Sequence, residues 1–509
     1  MQLAIIESNR LIPIEDLPET FLNLQFGRLM EETTPTIYAL GLLVILSSPP
    51  TSETIPPPLT IYYFGTQAYD IMDAWTDLVE QHLFKFLYQS QLYIPLGIIG
   101  IWRWSVWILK KTCVFFYEPM VDPSYGHRMT VTIITPVYNE DPQVFKKALQ
   151  SWEINNPEEL IAVIDRTDTN CITVFEEFSE NKEWARLIIT STPGKRPALA
   201  DGIRESKSEI VAVVDSDSIW APNTKQNMLV PFADSKIGGV TTRQHPLERE
   251  SIWQKITDIF WDMRNYYDLP SQAATGRSLS CLSGRTSAYR RELIIPRLDF
   301  FLNEVLFGKK KESGEDKCLT RLIQQDGWKS YYQSNAVIYS AASKDFRTFW
   351  NQRVRWSRNS HNSDLVSLLD GWAWKHKFLA FCMVDRFISV FTIFLGPIFF
   401  AISIYLNQWT ITLAIFALWM IGRGIKISPH LKRHPEDILI LPLYVLITFL
   451  VGIAKLYSLV TITEQRWIRS AKDRDNILDG NTHVRKAKDI VLTGEILCSI
   501  VLLVLFFLH

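Results

Sequence analysis

The sequence predicts an α/β domain with a mostly parallel sheet, inserted between an N-terminal and a C-terminal group of transmembrane helices. Apolar runs of membrane-span length gather towards the two ends of the 509-residue chain, and residues 127–376 between them contain none. That middle segment alternates short β-branched runs with helical patterns, which is the order of a parallel sheet covered by helices. It is long enough for one large soluble domain.

Charge and cysteine content exclude several classes of protein. The chain has 53 basic and 54 acidic side chains and a formal charge of −1, so it has no bulk charge with which to bind nucleic acid. A hydrophobic content of 47% excludes an intrinsically disordered chain. The six cysteines are scattered without a CxxC pair, which indicates reduced thiols and no structural zinc.

Six apolar segments are predicted to cross a membrane. The clearest is Phe387–Leu406, twenty residues without a charge, which matches a hydrocarbon core of roughly 30 Å. Buried core helices could explain any single run, but not four runs within the last 125 residues. We therefore predict an N-terminal membrane region at 1–126, with spans near 36–48 and 92–109, and a C-terminal membrane region at 377–509, with spans near 387–406, 409–422, 438–454 and 490–508.

The basic residues that flank the spans predict the orientation. Lys110 and Lys111 follow the second span, which places the middle domain on the cytoplasmic side of a plasma or inner membrane. The stretch Thr463–Asp489 holds seven Lys and Arg residues, although simple alternation of spans would place it outside. Either Ile438–Ile462 is re-entrant or partly interfacial, or the charge rule fails at this point.

The middle segment has four predicted strands that end in polar residues. A helix is expected after the first strand, because Asn139–Pro142 combines cap residues with a proline and a buried face follows at helical spacing. Ligands bind at the carboxyl ends of the strands in such sheets, so these ends are the predicted site. The predicted strands are Thr130–Val137, Leu160–Asp165, Leu187–Thr190 and Ile210–Asp215.

Asp215 and Asp217 are the candidate metal ligands. They stand one residue apart at the end of a buried strand, and carboxylate oxygens are the ligands that Mg²⁺ or Mn²⁺ prefers. Helix capping is the alternative for a motif this short. The second copy, Asp473 and Asp475, lies in a charged juxtamembrane stretch, and we interpret it as a solvated surface.

Three further groups of residues each allow a functional and a structural interpretation. Lys195 precedes a helix and could pair with a diphosphate there. Glu315 and Asp316 begin a helix, where acidic residues either compensate the helix dipole or act as a general base. The QRVRW stretch is an interfacial helix or a site where Arg355 neutralises a departing diphosphate and Trp356 stacks on a sugar.

The order of these motifs resembles the processive family 2 glycosyltransferases, a group that includes hyaluronan, cellulose, chitin and alginate synthases. The resemblance runs from Thr130 to Ser360 through the motifs PVYNE, VID, GKRPALADG, VVDSD, CLSGRTSAYR, GEDK and QRVRW. It implies a GT-A-type fold and a metal-dependent, inverting enzyme. The implied partners are a nucleotide-sugar donor (a UDP-sugar), a growing polysaccharide and the lipid bilayer, with the oligomeric state open.

The resemblance also implies a role for each matching position. The residues implied to bind the donor nucleotide are Tyr138, Glu140, Asp165, Lys195, Asp215 and Arg355, and those implied to bind Mg²⁺ or Mn²⁺ are Asp215 and Asp217. Catalysis is implied for Asp316 with Glu315, and acceptor binding for Gln352, Trp356, Ser283 and Gly284. A loop with Trp467 and Arg469 is implied to close the active site.

The motifs depart from the hyaluronan synthases at three places, so the sugar is left open. Those enzymes usually have SGP where this chain has Ser283-Gly284-Arg285, GDDR where it has GEDK, and WGTR where it has WIRS. Two other functions remain as alternatives. One is a non-processive transferase that adds a single sugar to a lipid, and the other is a transport or scaffold protein whose α/β domain senses nucleotide.

Overall fold

The computed structural model describes residues 4–7, 10–13, 91–122, 129–306, 308–464 and 490–499 of the chain. The chain divides into two compact units, Met1–Gln89 and Ser90–His509. The first unit contains an antiparallel hairpin of β1 (Ala4–Glu7) and β2 (Arg10–Pro13). The predicted span near 36–48 and the predicted gating residues Trp467 and Arg469 lie outside the described residues.

The second unit contains an eight-stranded sheet in the order β5-β4-β3-β6-β9-β8-β12-β7. Four of its seven neighbouring pairs are parallel, which confirms the predicted α/β fold with a mostly parallel sheet. A short hairpin, β10 with β11, stands apart from the sheet. The strands are β3 Val131–Val137, β4 Glu159–Asp165, β5 Ala185–Thr190, β6 Ile210–Val214, β7 Ile219–Trp220, β8 Ile237–Pro246, β9 Thr286–Arg290, β10 Val305–Leu306, β11 Lys309–Lys310 and β12 Lys329–Ser340.

Helices cover the sheet and form the membrane regions. Short 3₁₀ segments and one π-helical turn, Arg264–Asp268, connect several of them. The α-helices are α1 Ile94–Phe115, α2 Pro142–Ile154, α3 Thr169–Ser179, α4 Lys195–Glu205, α5 Thr224–Leu229, α6 Ile252–Met263, α7 Leu269–Thr275, α8 Arg291–Ile294, α9 Leu298–Asn303, α10 Glu315–Gln325, α11 Phe346–Leu369, α12 Lys377–Thr392, α13 Leu395–Tyr405, α14 Trp409–Lys426, α15 Ser428–Arg433, α16 Leu441–Val460 and α17 Ile490–Ser499.

The first part of the domain folds as its local sequence predicts. The four predicted strands are present, with ends within two residues of those expected. Helix α2 begins at Pro142, and the side chain of Asp141 caps it by accepting hydrogen bonds from the backbone N–H groups of Gln143 and Val144. Its predicted apolar face is buried, with Trp152 fully enclosed.

Three helical segments in the described residues are long and apolar enough to cross a membrane. They are Gln91–Phe115, Lys377–Tyr405 and Pro435–Val460, and they coincide with the spans predicted near 92–109, 387–406 and 438–454. The last includes α16, a continuous helix of 20 residues without a re-entrant break. The stretch predicted near 409–422 forms α14, and the span predicted near 490–508 begins with the apolar helix α17, beyond which the residues are not described.

The sheet domain packs directly on α16, which lies in one of the three segments long and apolar enough to cross a membrane. Ile256 of α6 and Phe349 of α11 form one buried cluster with Ile447 and Val451 of α16. The helix α11 carries the QRVRW stretch, so this packing holds that motif between the sheet and the membrane region.

Candidate active site

A single cavity of about 1910 Å³ lies at the carboxyl ends of β4 and β6 and extends to α16 and α17. Parallel strands place their carboxyl ends at one edge, which explains why the predicted residues meet there. Glu140 is the exception: its side chain does not line the cavity, but accepts a hydrogen bond of 2.7 Å from Ser216 within the DSD motif. The predicted residues that line the cavity are Tyr138, Asp165, Lys195, Asp215, Asp217, Ser283, Gly284, Glu315, Asp316, Gln352, Arg355 and Trp356.

Lys195 joins two of the predicted motifs. It is the first residue of α4, and its Nζ lies 2.6 Å from Asp215 Oδ1 and 2.6 Å from Glu315 Oε1. Burial alone would lower the pKa of Lys195, but the two carboxylates outweigh it and raise that pKa. Burial would likewise raise the pKa of Glu315, but Lys195 lowers it to about 2. Lys195 therefore stays protonated in the cavity wall, where its ammonium group is shared between two carboxylates.

A buried ion cluster fixes the beginning of α4. Arg196 donates hydrogen bonds to the backbone oxygen of Phe301 at 2.7 Å and to Glu304 at 2.8 Å. Glu304 also pairs with Arg321 and Lys311. Burial would raise the pKa of Glu304, but these three cations lower it to about 2. Sequence patterns missed this cluster because its members come from separate elements.

Asp215 and Asp217 form an acidic strand end that fits a divalent cation. Burial and the neighbouring carboxylate of Asp215 raise the pKa of Asp217 to about 6. Asp217 Oδ2 accepts a hydrogen bond of 3.1 Å from Ser340. Two crowded carboxylates with hard oxygen ligands are the donor set that Mg²⁺ or Mn²⁺ favours.

Asp316 is held at the cavity wall by two donors. Its Oδ1 accepts from the backbone N–H of Lys317 at 2.8 Å, and its Oδ2 accepts from the thiol of Cys281 at 3.3 Å. A Cβ built on Gly284 would lie 3.6 Å from the Cβ of Asp316 and 3.4 Å from Lys195 Nζ, so Gly284 lies closely against both. The Asp316 carboxylate is thus held in one orientation at the cavity wall by these two donors.

Three predicted residues of α11, Gln352, Arg355 and Trp356, line the same cavity as the strand ends. Gln352 Oε1 accepts a hydrogen bond of 2.8 Å from Ser343. The ring of Trp356 is flanked by two guanidinium groups, with ring centres 5.1 Å from Arg285 and 5.2 Å from Arg353. Arg285 departs from the SGP motif, and its contact with Trp356 could not be predicted from the sequence because only the folded chain brings the two residues together.

A second acidic cluster lies near α6 and α15, outside the cavity. Ligand atoms of His245, Asp258 and Asp262 lie within 4.8 Å of one another, close enough to hold a metal ion. Arg433 already lies 2.8 Å from His245 and 2.9 Å from Asp262, and Arg249 lies 2.8 Å from Asp258. Both of these carboxylates are held by arginines, whereas Asp217 at the strand end has no ion pair among the described residues, so we assign no metal to the second cluster.

Comparisons with known proteins agree with this geometry. The model of the family described as “Glycosyltransferase like family 2” matches residues 127–359. A hyaluronan synthase of Streptococcus pyogenes is 27% identical over 394 residues, which cover 73% of this chain and 90% of the relative. A type 2 glycosyltransferase of Pyricularia oryzae is 25% identical over 374 residues, which cover 68% of this chain and 74% of the relative.

Among solved structures, a mannosyltransferase from Pyrobaculum calidifontis in complex with GDP-Man and Mn²⁺ has a TM-score of 0.42 and 19% identity, and covers 67% of this chain and 96% of its own. The family match spans the sheet, the acidic strand ends and the QRVRW helix. The hyaluronan synthase match extends well beyond those residues, over most of both chains. Residues 127–359 are therefore a glycosyltransferase family 2 domain, carried by a chain that has the apolar helices of a membrane protein.

Proposed function

We propose that this protein polymerises a β-linked polysaccharide from a UDP-sugar and passes the growing chain through the membrane. The observation that carries the proposal is the continuity of one cavity. It is lined by the acidic strand ends and Asp316, and also by Ile453 and Tyr457 of α16 and by Thr493 and Leu497 of α17. The similarity to a hyaluronan synthase over 73% of the chain supports it.

The donor binds at the strand ends. Tyr138 and Asp165 border the uridine, with Glu140 behind them supporting the DSD motif through Ser216. Lys195 and Arg355 are the cations available to the diphosphate. Asp215 and Asp217 would hold Mg²⁺ or Mn²⁺, which would supply further positive charge at the leaving diphosphate.

Asp316 acts as the general base. It takes the proton from the acceptor hydroxyl, whose oxygen forms a bond to the anomeric carbon as the bond from that carbon to the diphosphate breaks, with inversion. The leaving UDP carries away the electron pair, and Lys195 stabilises its charge. Glu315 is ion-paired to Lys195, so it acts by positioning this cation.

The acceptor end of the growing chain lies against α11. Trp356 stacks on a sugar ring, and Gln352, Ser283 and Gly284 complete the acceptor side of the cavity. Sugar hydroxyls without partners cost several kcal/mol each in hydrocarbon, so a polysaccharide needs a path lined by protein. We further propose that Trp467 and Arg469 belong to a loop that closes the site.

The test is to incubate the purified chain with a panel of UDP-sugars, GDP-mannuronate and Mn²⁺, and to measure nucleotide release and product size. We expect release with one donor or a pair of donors, together with a long polymer. A single short lipid-linked product would favour the non-processive transferase. If no donor gives nucleotide release when metal is present, the result would favour a nucleotide sensor and contradict the proposal.

A further inference from the structure

We propose that Arg285 is a positioning residue that fixes the acceptor tryptophan, Trp356, relative to the metal-binding end of the cavity. This inference rests on the proposed function and deepens it. Arg285 stands where the hyaluronan synthases usually have proline. The role proposed for it is therefore not one that the shared motifs specify.

The backbone of Arg285 is fixed directly beside the DSD motif. Its carbonyl oxygen accepts a hydrogen bond of 3.1 Å from the backbone N–H of Asp215. The next residue, Thr286, begins β9 and pairs with Val214 at the end of β6. These backbone hydrogen bonds therefore fix the position of the Arg285 Cα relative to the DSD motif.

The side chain of Arg285 is held by hydrogen bonds on the donor side of the cavity. Its Nε donates to Ser340 Oγ at 3.2 Å, and that hydroxyl donates to Asp217 Oδ2 at 3.1 Å. Its NH1 group donates to Gln244 Oε1 at 3.2 Å. Because Nε and NH1 are held by oxygens on two different strands, the plane of the guanidinium group is set by the sheet.

The same guanidinium group packs on two indole rings. Its carbon lies 4.3 Å from the ring centre of Trp261 on α6 and 5.1 Å from that of Trp356 on α11. Trp261 is buried, whereas Trp356 lines the cavity. A guanidinium group is attracted to the face of an aromatic ring. The Arg285 guanidinium therefore links the buried Trp261 indole to the Trp356 indole, on which the sugar is proposed to stack.

This arrangement sets the distance between donor and acceptor. The Asp217 end is linked through Ser340 to Arg285, and Arg285 lies against Trp356. A sugar stacked on Trp356 is then held at a defined position relative to the anomeric carbon, which is what a displacement reaction requires. Lysine would retain the charge but could neither stack as a plane nor donate in two directions.

The test compares Arg285→Lys with Arg290→Lys as a matched control. Arg290 is the last residue of β9, the strand that begins just after Arg285, and it also packs on an aromatic ring, that of Phe232, but it does not line the cavity. We expect Arg285→Lys to bind UDP with Mn²⁺ as the parent does, and to make polymer about tenfold shorter, since one lost cation–π contact has that order of effect. Arg290→Lys should make polymer of parental length.

Two further measurements separate positioning from general damage. The double variant Arg285→Lys, Trp356→Ala should make polymer no shorter than Trp356→Ala alone, because both changes remove one function. Near-ultraviolet circular dichroism reports how rigidly the Trp356 indole ring is held, and the measurement does not require turnover. The difference spectrum caused by Trp356→Phe should be strongly reduced in the Arg285→Lys background, where the ring is no longer held.

Polymer of parental length from Arg285→Lys, or loss of its UDP binding, would overturn the inference. Additive effects in the double variant, or a difference spectrum that is unchanged in the Arg285→Lys background, would also overturn it. If the parent protein makes no polymer from any UDP-sugar, that result contradicts the proposed function instead. The spectroscopic comparison still decides the role of Arg285 in that case.

Discussion

Asp316 and Glu315 are neighbours in the chain but have different surroundings. Glu315 is locked to Lys195 at 2.6 Å, and its pKa is lowered to about 2 although burial opposes this. Asp316 has no ion pair to a Lys or Arg among the described residues and accepts only from a backbone N–H and a thiol. These different surroundings suit the distinct roles that we propose, a positioning role for Glu315 and proton transfer for Asp316.

Asp316→Asn should still bind UDP but lose turnover by at least about 100-fold, because an amide cannot take the proton from the acceptor hydroxyl. Nucleotide release and UDP binding are measured on the same preparation. Release near the parental rate would remove Asp316 from the role of base.

Glu315→Gln should weaken donor binding more than it slows the chemical step. The neutral amide leaves Lys195 with one carboxylate partner, Asp215, so the cation is less well placed for the diphosphate. We expect the KM for the donor to rise about tenfold with kcat less affected, since the lost contact acts on binding. A kcat reduced as strongly as in Asp316→Asn would contradict the division of roles.

The placement of single site residues could be predicted from local patterns. Asp165 and Asp215 follow apolar strands, and parallel strands end at one edge, so their meeting required only the order of the strands. The contacts of Arg285 with Trp356, and of Glu304 with Arg196, could not be predicted in this way. They join residues from distant segments whose approach depends on how α6, α9 and α11 pack.

Helix α4 shows how an element is anchored to present one side chain. Its second residue, Arg196, is buried against Glu304, while its first, Lys195, faces the cavity. The Glu304 cluster therefore anchors the beginning of α4 and with it the position of Lys195. Glycine at position 194, with φ of 113°, allows the sharp entry into this helix.

Glu304→Gln should destabilise the protein in a pH-dependent way. A carboxyl whose pKa falls from 4.5 to about 2 on folding stabilises the fold fully above pH 4.5, and this contribution is lost as the pH falls towards 2. At pH 7 we expect a loss of about 3 kcal/mol, in the range for breaking a buried pair. Thermal melting in detergent should show a difference from the parent that shrinks on acidification.

The exposed Glu292 on α8 supplies the matched control. Glu292→Gln should leave the melting temperature unchanged at every pH. If Glu304→Gln behaves like this control at pH 7, the buried cluster contributes nothing to stability.

For the molecule as a whole, the decisive feature is that one cavity connects the domain to membrane helices. The fold class and three membrane helices were predictable, because strand order and apolar length are local properties of the sequence. The packing of α6 and α11 against α16 was not predictable, since it depends on which helix faces meet. That packing is what brings the acceptor motif next to the membrane region.

A bulky side chain at the membrane end of the cavity should shorten the product. Gly494 of α17 lines the cavity, and a Cβ built there meets no described atom within 4 Å. Gly494→Trp should fill this space and hinder passage of the growing chain, while the initial release of nucleotide is retained. Product size on a gel is the readout, and Gly494→Ala should give polymer of parental length.

The most direct measurement is made on proteoliposomes with the catalytic domain facing outwards and UDP-sugar with Mn²⁺ supplied outside. We predict long polymer inside the vesicles, protected from an added glycoside hydrolase until detergent opens them. Polymer that is degraded at once outside, or a single sugar attached to lipid, would contradict the claim that one cavity both extends the polysaccharide and leads it into the membrane.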